Sequence, residues 1–401
     1  MSNNVLYWLW LQNALGAGAE LREAIEYFGG AKDIYDADEY SLKFSGIFTP
    51  AQVTALSSKS LSKAEDIISL CKLHGWQIID FEDGAYPQRL RDIENPPAVL
   101  YVDGELPNVD SHLYISIVGA RKASDYAVKA AELMSRGVAE HGAVVVSGGA
   151  LGVDSAAHNG AILCGGKTVA VLGCGFGVNY LMANQPLRNA IKANGALLTE
   201  FPPFTPATKY TFPIRNRIIS GISLALLIVE AGVKSGSLIT ARYAMEQGKE
   251  VFAIPCSILE DAFAGTNRLI DDGASVATKP LDLLYPFALD FGIDIGKVKS
   301  VSQLMKAKPK KEANYSFNEA EKYSFENNSE SRGKRAKRQS AAATLSGDDL
   351  TVYNALGEEL MHIDEITQKA NLPIGRVLTS LTTLELMDLA ESTGGKRYKL
   401  S

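Results

Sequence analysis

Arg121 stands in the stretch Val118-Gly119-Ala120-Arg121-Lys122-Ala123-Ser124, where an apolar run gives way to a polar one. If a strand ends at Val118 and a helix opens near Ser124, the free N–H groups of the helix start favour an anion. Gly119 lets the backbone come close, and Arg121 adds a planar fork suited to phosphate. A second stretch, Val146-Ser147-Gly148-Gly149-Ala150-Leu151-Gly152-Val153-Asp154, places three glycines and a serine between strand and helix, a backbone that can form a concave nest of donors. A third, Gly173-Cys174-Gly175-Phe176-Gly177, has half a dinucleotide fingerprint at the wrong spacing, and no acidic residue closes the expected strand. The fourth pairs Lys209-Tyr210-Thr211-Phe212-Pro213-Ile214-Arg215-Asn216-Arg217 with Glu230-Ala231-Gly232-Val233-Lys234-Ser235-Gly236-Ser237. Cations interleaved with aromatic rings suit an unpaired polynucleotide, whose phosphates meet charge and whose bases stack. Structural uses compete at each position. Arg215 or Arg217 could pair with Glu200 or Glu230, Phe212 could be core, and the glycines could serve only turns.

Catalytic chemistry finds little support. Five histidines form no H-E-x-x-H, and four scattered cysteines (Cys71, Cys164, Cys174, Cys256) have no metal-ligand or disulfide spacing. There is no G-x-x-x-x-G-K-[ST] loop and no G-x-S-x-G elbow. Asp154 and His158 are four apart on one expected helix, where an early Asp serves as a cap or first-turn charge. The expectation is therefore no catalytic residue, no metal and no cofactor.

The elements that must position these turns are legible from periodicity. Short apolar runs recur at Tyr114–Val118, Ala143–Ser147, Thr168–Leu172, Ala196–Thr199, Leu224–Val229, Glu250–Ile254 and Ser275–Ala277, with helical stretches such as 124–140 between them. Continuous apolar strands alternating with helices predict a parallel sheet covered on both faces, a doubly wound α/β fold with all four turns at its carboxyl edge. Residues 1–80 read as a helical domain of helix-hairpin-helix or SAM type, with Gly16-Ala17-Gly18 and Ser45-Gly46-Ile47 between helices. Residues 81–111, with Tyr86-Pro87, Asn95-Pro96-Pro97 and a strand over Val99–Val102, read as a connector. Residues 112–295 are expected to form the Rossmann-like domain that carries these turns. Residues 296–345 are expected to be a disordered basic linker. Residues 346–401, with helices over Asp349–Leu356, Ile363–Ala370 and Ile374–Met387 and a hairpin around Thr393-Gly394-Gly395, outline a winged helix.

The 401 residues carry a net charge of −6, so bulk charge does not announce a nucleic-acid ligand. The charge is uneven: +5 over 306–340, −4 over 341–401 and −7 over 1–305. An anion site must therefore be a local patch on an acidic body. No apolar run is long enough to span a bilayer and no basic region precedes the N-terminal apolar stretch, so a reducing cytoplasm is the expected compartment.

In combination the motifs resemble the DNA-processing protein A (DprA/Smf) family of bacterial recombination mediators. The residues that carry the resemblance lie between about 85 and 290: Tyr86-Pro87 with Asn95-Pro96-Pro97, Gly119-Ala120-Arg121, Ser147-Gly148-Gly149-Ala150 with Gly152 and Asp154, Phe212-Pro213-Ile214-Arg215-Asn216-Arg217, Lys234-Ser235-Gly236-Ser237-Leu238, and Gly265-Thr266-Asn267-Arg268-Leu269-Ile270. The resemblance implies an extended Rossmann-like domain that binds single-stranded DNA without sequence preference. It implies a homodimer, no catalytic turnover, and loading of the RecA recombinase onto incoming strands coated by single-strand-binding protein during natural transformation. Arg121, Lys209 and Phe212 match positions that contact DNA in the family. Gly119, Ser147, Gly148, Gly149, Gly152, Arg215, Asn216, Arg217, Lys234, Ser237 and Asn267 complete the expected DNA site, and Leu269 and Ile270 are candidates for the dimer surface. One departure is Pro255-Cys256, where the family usually has Pro-Gly. The rival function is a Rossmann-like enzyme hydrolysing nucleoside monophosphates, for which Glu230 is the obvious acid or base.

Overall fold

Val144-Val145-Val146 and Thr168-Val169-Ala170-Val171 have no polar face to turn to water, so they must be covered on both sides. In the computed structural model they are β4 and β5 of a nine-stranded sheet. The strands are β1 (Gln77–Asp80), β2 (Val99–Gly104), β3 (Tyr114–Val118), β4 (Val144–Ser147), β5 (Thr168–Val171), β6 (Gly195–Thr199), β7 (Ala225–Ile228), β8 (Glu250–Ala253) and β9 (Ser275–Val276), in the order β1-β2-β6-β5-β4-β3-β7-β8-β9. The structure describes residues 4–178, 184–308, 347–357, 361–386, 389–393 and 397–400. From β6 to β9 every pairing is parallel, whereas β1–β2 and β2–β6 are antiparallel. Side chains alternate between the two cores: Val144 and Val146 enter one, Val145 the other.

The carboxyl ends of β3 to β8 share one edge, and the order reverses there between β3 and β7. One face carries the helices Asp125–Ala139 and Val153–Leu163. The opposite face carries Thr211–Ile222, Ser237–Glu246 and Ala264–Asp271, whose Ile218, Ile219, Ile222, Ala241, Ala244 and Leu269 bury against it. Thr211–Ile222 is the crossover from β6 back to β7, so its N-terminus arrives at the carboxyl edge. Among the described residues no helix is long and apolar enough to cross a membrane.

Three features differ from the sequence expectation. The segments read as a helical domain and a connector both contribute to the main sheet: 77–80 is strand β1, and β2 joins it to β6. The helices of residues 5–74 share a core with that sheet, with Trp8, Leu9 and Leu11 fully buried in the same cluster as Tyr101, Ala170 and Leu197. Residues 301–306, expected to be disordered linker, form the helix Val301–Lys306, capped by Ser300. Its Leu304 is 1% exposed, worth about 1.5–3 kcal/mol. Arg136 donates to the carbonyls of Leu304, Ala307 and Lys308. Residues 309–345 of the linker, including its Arg/Lys run at 332–338, lie outside the described residues.

The chain divides into two units, Met1–Ser316 and Phe317–Ser401. In the second, the helices Gly347–Ala355, Ile363–Ala370 and Ile374–Leu386 surround a core of Val352, Ile366, Val377, Leu381 and Leu384. A small antiparallel sheet joins β10 (Met361–His362), between the first two helices, with β11 (Ala390–Thr393) and β12 (Arg397–Leu400) after the third, in the order β10-β12-β11. Three helices and a wing make a winged helix. The wing's Gly394-Gly395 turn lies outside the described residues.

Candidate nucleic-acid interface

The helix Thr211–Ile222 begins at the carboxyl edge with no cap from the side chain of Tyr210; Thr208 takes its place, its Oγ1 and carbonyl oxygen accepting from Thr211 N–H at 3.3 and 3.2 Å. Phe212, half-buried, seats its ring on Gly173 at the end of β5, where a β-carbon would come within 2.7 Å of the ring. The guanidinium of Arg121 lies 4.7 Å from the centre of that ring. Arg121 and Lys209 are both exposed, and Lys209 Nζ lies 5.1 Å from the ring of Tyr210, itself 69% exposed. Lys234 is exposed in the turn after β7, the strand next to β3. Cations and rings therefore alternate along the rim.

Behind this surface the turns lock onto one another. Gly152 packs directly on the backbone of Ala120 and Arg121, and Val153 N–H donates to Ala120 O at 3.2 Å. Asp154 Oδ2 accepts from the N–H groups of Gly148 and Ala150 at 3.1 and 3.3 Å, closing the second turn. Burial pushes the Asp154 carboxyl above its ordinary value, with Arg215 opposing. Glu230 Oε2 accepts from Ser124 N–H and Oγ–H at 3.0 and 2.6 Å, fixing the start of the helix Asp125–Ala139.

The structure separates the expected site residues into two groups. Arg121, Lys209, Phe212 and Lys234 meet solvent at the rim. The others hold the rim together. Arg215 is 4% exposed and donates to the carbonyls of Gly148 and Val171. Asn216 donates to Gly236 O at 3.4 Å. Arg217, also 4% exposed, forms a bidentate pair with Glu200 at 2.6 and 2.8 Å. Successive helix residues are 100° apart, so these three reach three different segments. Ser147 is fully buried and donates to Ile117 O; Gly148 and Gly149 are buried too. Ser237 faces Ser235 at 2.8 Å, and the Asn267 amide spans the backbone of Cys256 in both directions. The expectation that Arg215 and Arg217 line an open groove is therefore corrected: buried carbonyls and a carboxylate hold them. Leu269, offered as a dimer contact, is 8% exposed in the chain's own core, whereas Ile270 is half-buried. The sequence reading missed Phe204, 54% exposed, with φ of 62° beside Gly177. No periodicity marks that residue, because the 202–205 loop takes its place from the 173–177 turn through Gly175 N–H to Thr205 O at 2.9 Å.

His158 is a buried polar group with a structural role. Thr168 Oγ–H donates to Val145 O, so its oxygen accepts from His158 Nδ1–H at 2.7 Å. Burial, with Arg215 adding, pushes the imidazole down to about 3. Above pH ~6.5 folded and unfolded chains are both neutral here. As pH falls from there towards 3, the unfolded chain takes a proton that the folded one refuses, and stability drops by about 2 kcal/mol by pH 5. Denaturation midpoints at pH 7 and pH 5 should therefore fall further for the wild type than for His158→Gln. Equal losses would remove His158 as the cause.

The fold places the chain among extended Rossmann-like proteins, with cationic, glycine-rich turns on the sheet's carboxyl edge and a winged helix following. The sequence model of DNA recombination-mediator protein A matches residues 77–288, and that of the DprA winged helix domain matches 336–396. DNA processing protein DprA of Streptococcus pneumoniae is 40% identical over 205 residues, 51% of this chain and 72% of that protein. Its crystal structure superposes with a TM-score of 0.61 at 33% identity, covering 71% of this chain and 98% of that one. The Helicobacter pylori protein of the same name, solved in work on its single-stranded DNA binding mode, is 29% identical over 54% of this chain and 96% of that chain, with a TM-score of 0.49. The chain belongs to the DNA recombination-mediator protein A (DprA) family, whose members are DNA-processing recombination mediators.

Proposed function

We propose that the carboxyl edge of the sheet binds single-stranded DNA without sequence preference, through Arg121, Lys209 and Lys234 on phosphates and Phe212 and Tyr210 on bases. The observation that carries this reading is the stack of exposed Arg121 on half-buried Phe212, with Lys209 and Tyr210 exposed beside it. In the free protein Arg121 occupies a face of the ring. A base can take that place while the guanidinium turns to the adjacent phosphate, so one site serves both moieties of a nucleotide. The buried arginines supply rigidity: they fix the turns that carry Arg121 and Phe212. Phosphate contacts and ring stacking carry no base identity, which fits sequence independence. The nucleotide-hydrolase reading is weaker, because Glu230 is 2% exposed and bonded to Ser124.

The test is a titration of labelled oligo-dT against salt. Arg121→Ala and Lys209→Ala should each weaken binding and reduce the salt slope by about 0.7, one phosphate's counterion release from a single strand. Phe212→Ala should cost about 1–3 kcal/mol with the slope unchanged. Because Arg121 and Phe212 touch, their double variant should lose less than the sum of the single losses. Wild-type binding by both charge variants would overturn the proposal.

From the family resemblance the proposal extends to homodimerisation, to loading RecA onto strands coated by single-strand-binding protein, and to a cytoplasmic setting. The four cysteines, all free, suit a reducing compartment.

A further inference from the structure

Among the described residues other than glycine, positive φ occurs at Phe204, 62°, and Asn371, 51°. Asn371 closes the helix Ile363–Ala370, where asparagine is an ordinary left-handed cap. Phe204 has no such local reason. Its loop is a tight turn: Thr205 N–H donates to Pro202 O at 3.1 Å, with Pro203 in the second position and Phe204 in the third. A proline followed by positive φ is the pattern of a type II turn, whose third position favours glycine. Phenylalanine is strained there. Burial does not offset the strain, because the side chain is 54% exposed.

The surrounding backbone fixes the ring at the rim. Phe204 N–H donates to Phe176 O and Gly175 N–H to Thr205 O, both at 2.9 Å. A β-carbon on Gly177 would lie 2.3 Å from the Phe204 ring, just as one on Gly173 would lie 2.7 Å from the Phe212 ring. The Gly173-Cys174-Gly175-Phe176-Gly177 turn, whose glycines fit no dinucleotide fingerprint, therefore seats one ring at each end. Four residues of chain reach at most ~14 Å, so both rings share one short stretch of the carboxyl edge. Phe204 follows β6 and Lys234 follows β7, the outer two of five neighbouring strands in the order β6-β5-β4-β3-β7. At about 4.8 Å per strand the rim between them is ~19 Å long, room for about five nucleotides at a stacked rise of ~3.4 Å.

We propose that Phe204 is a second stacking platform for a base, so that the bound strand runs from Lys234 past Arg121 and Phe212 to the end of β6. This rests on the reading of the rim as a single-stranded DNA site. Every base offers a π-face to such a ring, and a ring already fixed on backbone loses little freedom when a base meets it. The test is the titration of the full chain with labelled oligo-dT against salt. Phe204→Gly should weaken binding roughly tenfold, about 1.4 kcal/mol, with the salt slope unchanged. It should melt within a few degrees of wild type, since glycine takes positive φ without strain. Phe204→Trp, which keeps a stacking face, should bind at least as tightly as wild type. The two rings meet different bases, so the losses of Phe204→Gly and Phe212→Ala should add in the double variant. Undiminished binding by Phe204→Gly would overturn the proposal. So would a double variant no weaker than Phe212→Ala alone, because Phe204 would then act only by propping Phe212 through the shared turn. Arg121→Ala and Lys209→Ala separate this inference from the reading beneath it. If they weaken binding and Phe204→Gly does not, the rim stands and the second platform falls. If both bind like wild type, the rim itself falls and the platform with it.

Discussion

Arg217→Met is expected to destabilise the chain by about 3–5 kcal/mol, because it leaves the Glu200 carboxylate buried without its counter-charge. Glu200 is 1% exposed, and among the described residues its carboxylate accepts, besides the bidentate pair, one hydrogen bond from Gly18 N–H at 3.1 Å. For a unit of this size the loss corresponds to a fall in Tm of roughly 6–20 °C. Glu200→Gln should be similarly costly, since it strands the guanidinium. The double variant should recover much of the loss, because removing both charges avoids desolvating either. The effect should spread to the N-terminal helices. Glu200 O accepts from Gln12 Nε2 at 2.8 Å, and Gln12 Oε1 accepts from Tyr101 O–H at 2.7 Å. Limited proteolysis should accordingly cut the single variants faster near residues 16–20. Single variants that melt within a degree of wild type, or a double variant worse than either, would show that the pair does not hold these layers together.

That ion pair also shows where sequence reading stops. The parallel strands β3 to β9 were legible to within a residue or two, because short β-rich apolar runs alternating with helical stretches are what a doubly covered sheet requires. Arg121 and Lys209 were legible as exposed cations because each lies in a turn beside an element boundary, where local sequence sets exposure. Arg215 and Arg217 have the same residue type and neighbourhood, yet their direction depends on Glu200, Gly148 and Val171, which lie on other strands. No local pattern carries that information, and the pairing of Arg217 with Glu200 stood only as one of several alternatives. The antiparallel extension of the sheet was hidden for a related reason. Gln77–Asp80 is four residues long and follows a helix, and only its pairing with β2 defines it. The helix Val301–Lys306 rests on a single anchor, Leu304, in a polar run that reads as linker.

Gly152→Val is expected to be at least as severe as loss of the ion pair, and to reach the DNA rim as well. Gly152 has φ 75° and ψ −126°, a conformation that costs an L-residue of order 1–3 kcal/mol. A β-carbon there would lie 2.4 Å from Ala120 O and 2.5 Å from Arg121 O. Neither is the end of a flexible side chain: both are backbone oxygens, and Ala120 O also accepts from Val153 N–H. Relief therefore requires the 119–123 turn to move, taking Arg121 off Phe212. The two terms together put the cost above about 4 kcal/mol, in the range reserved for a named structural fault. Oligo-dT affinity of whatever remains folded should fall at least as far as in Arg121→Ala. Gly236→Ala is the control on the same rim. Its φ is −63°, and nothing lies within 4 Å of the added methyl. A residue already in helical conformation with open space around it should gain about 0.4–1 kcal/mol from the substitution, through the lost freedom of the unfolded chain. If both glycine variants melted alike, close backbone packing between the first two turns would not be what shapes the rim. If Gly152→Val alone failed while Arg121→Ala stayed stable, the turn's geometry and the arginine's charge would be separable contributions to one site.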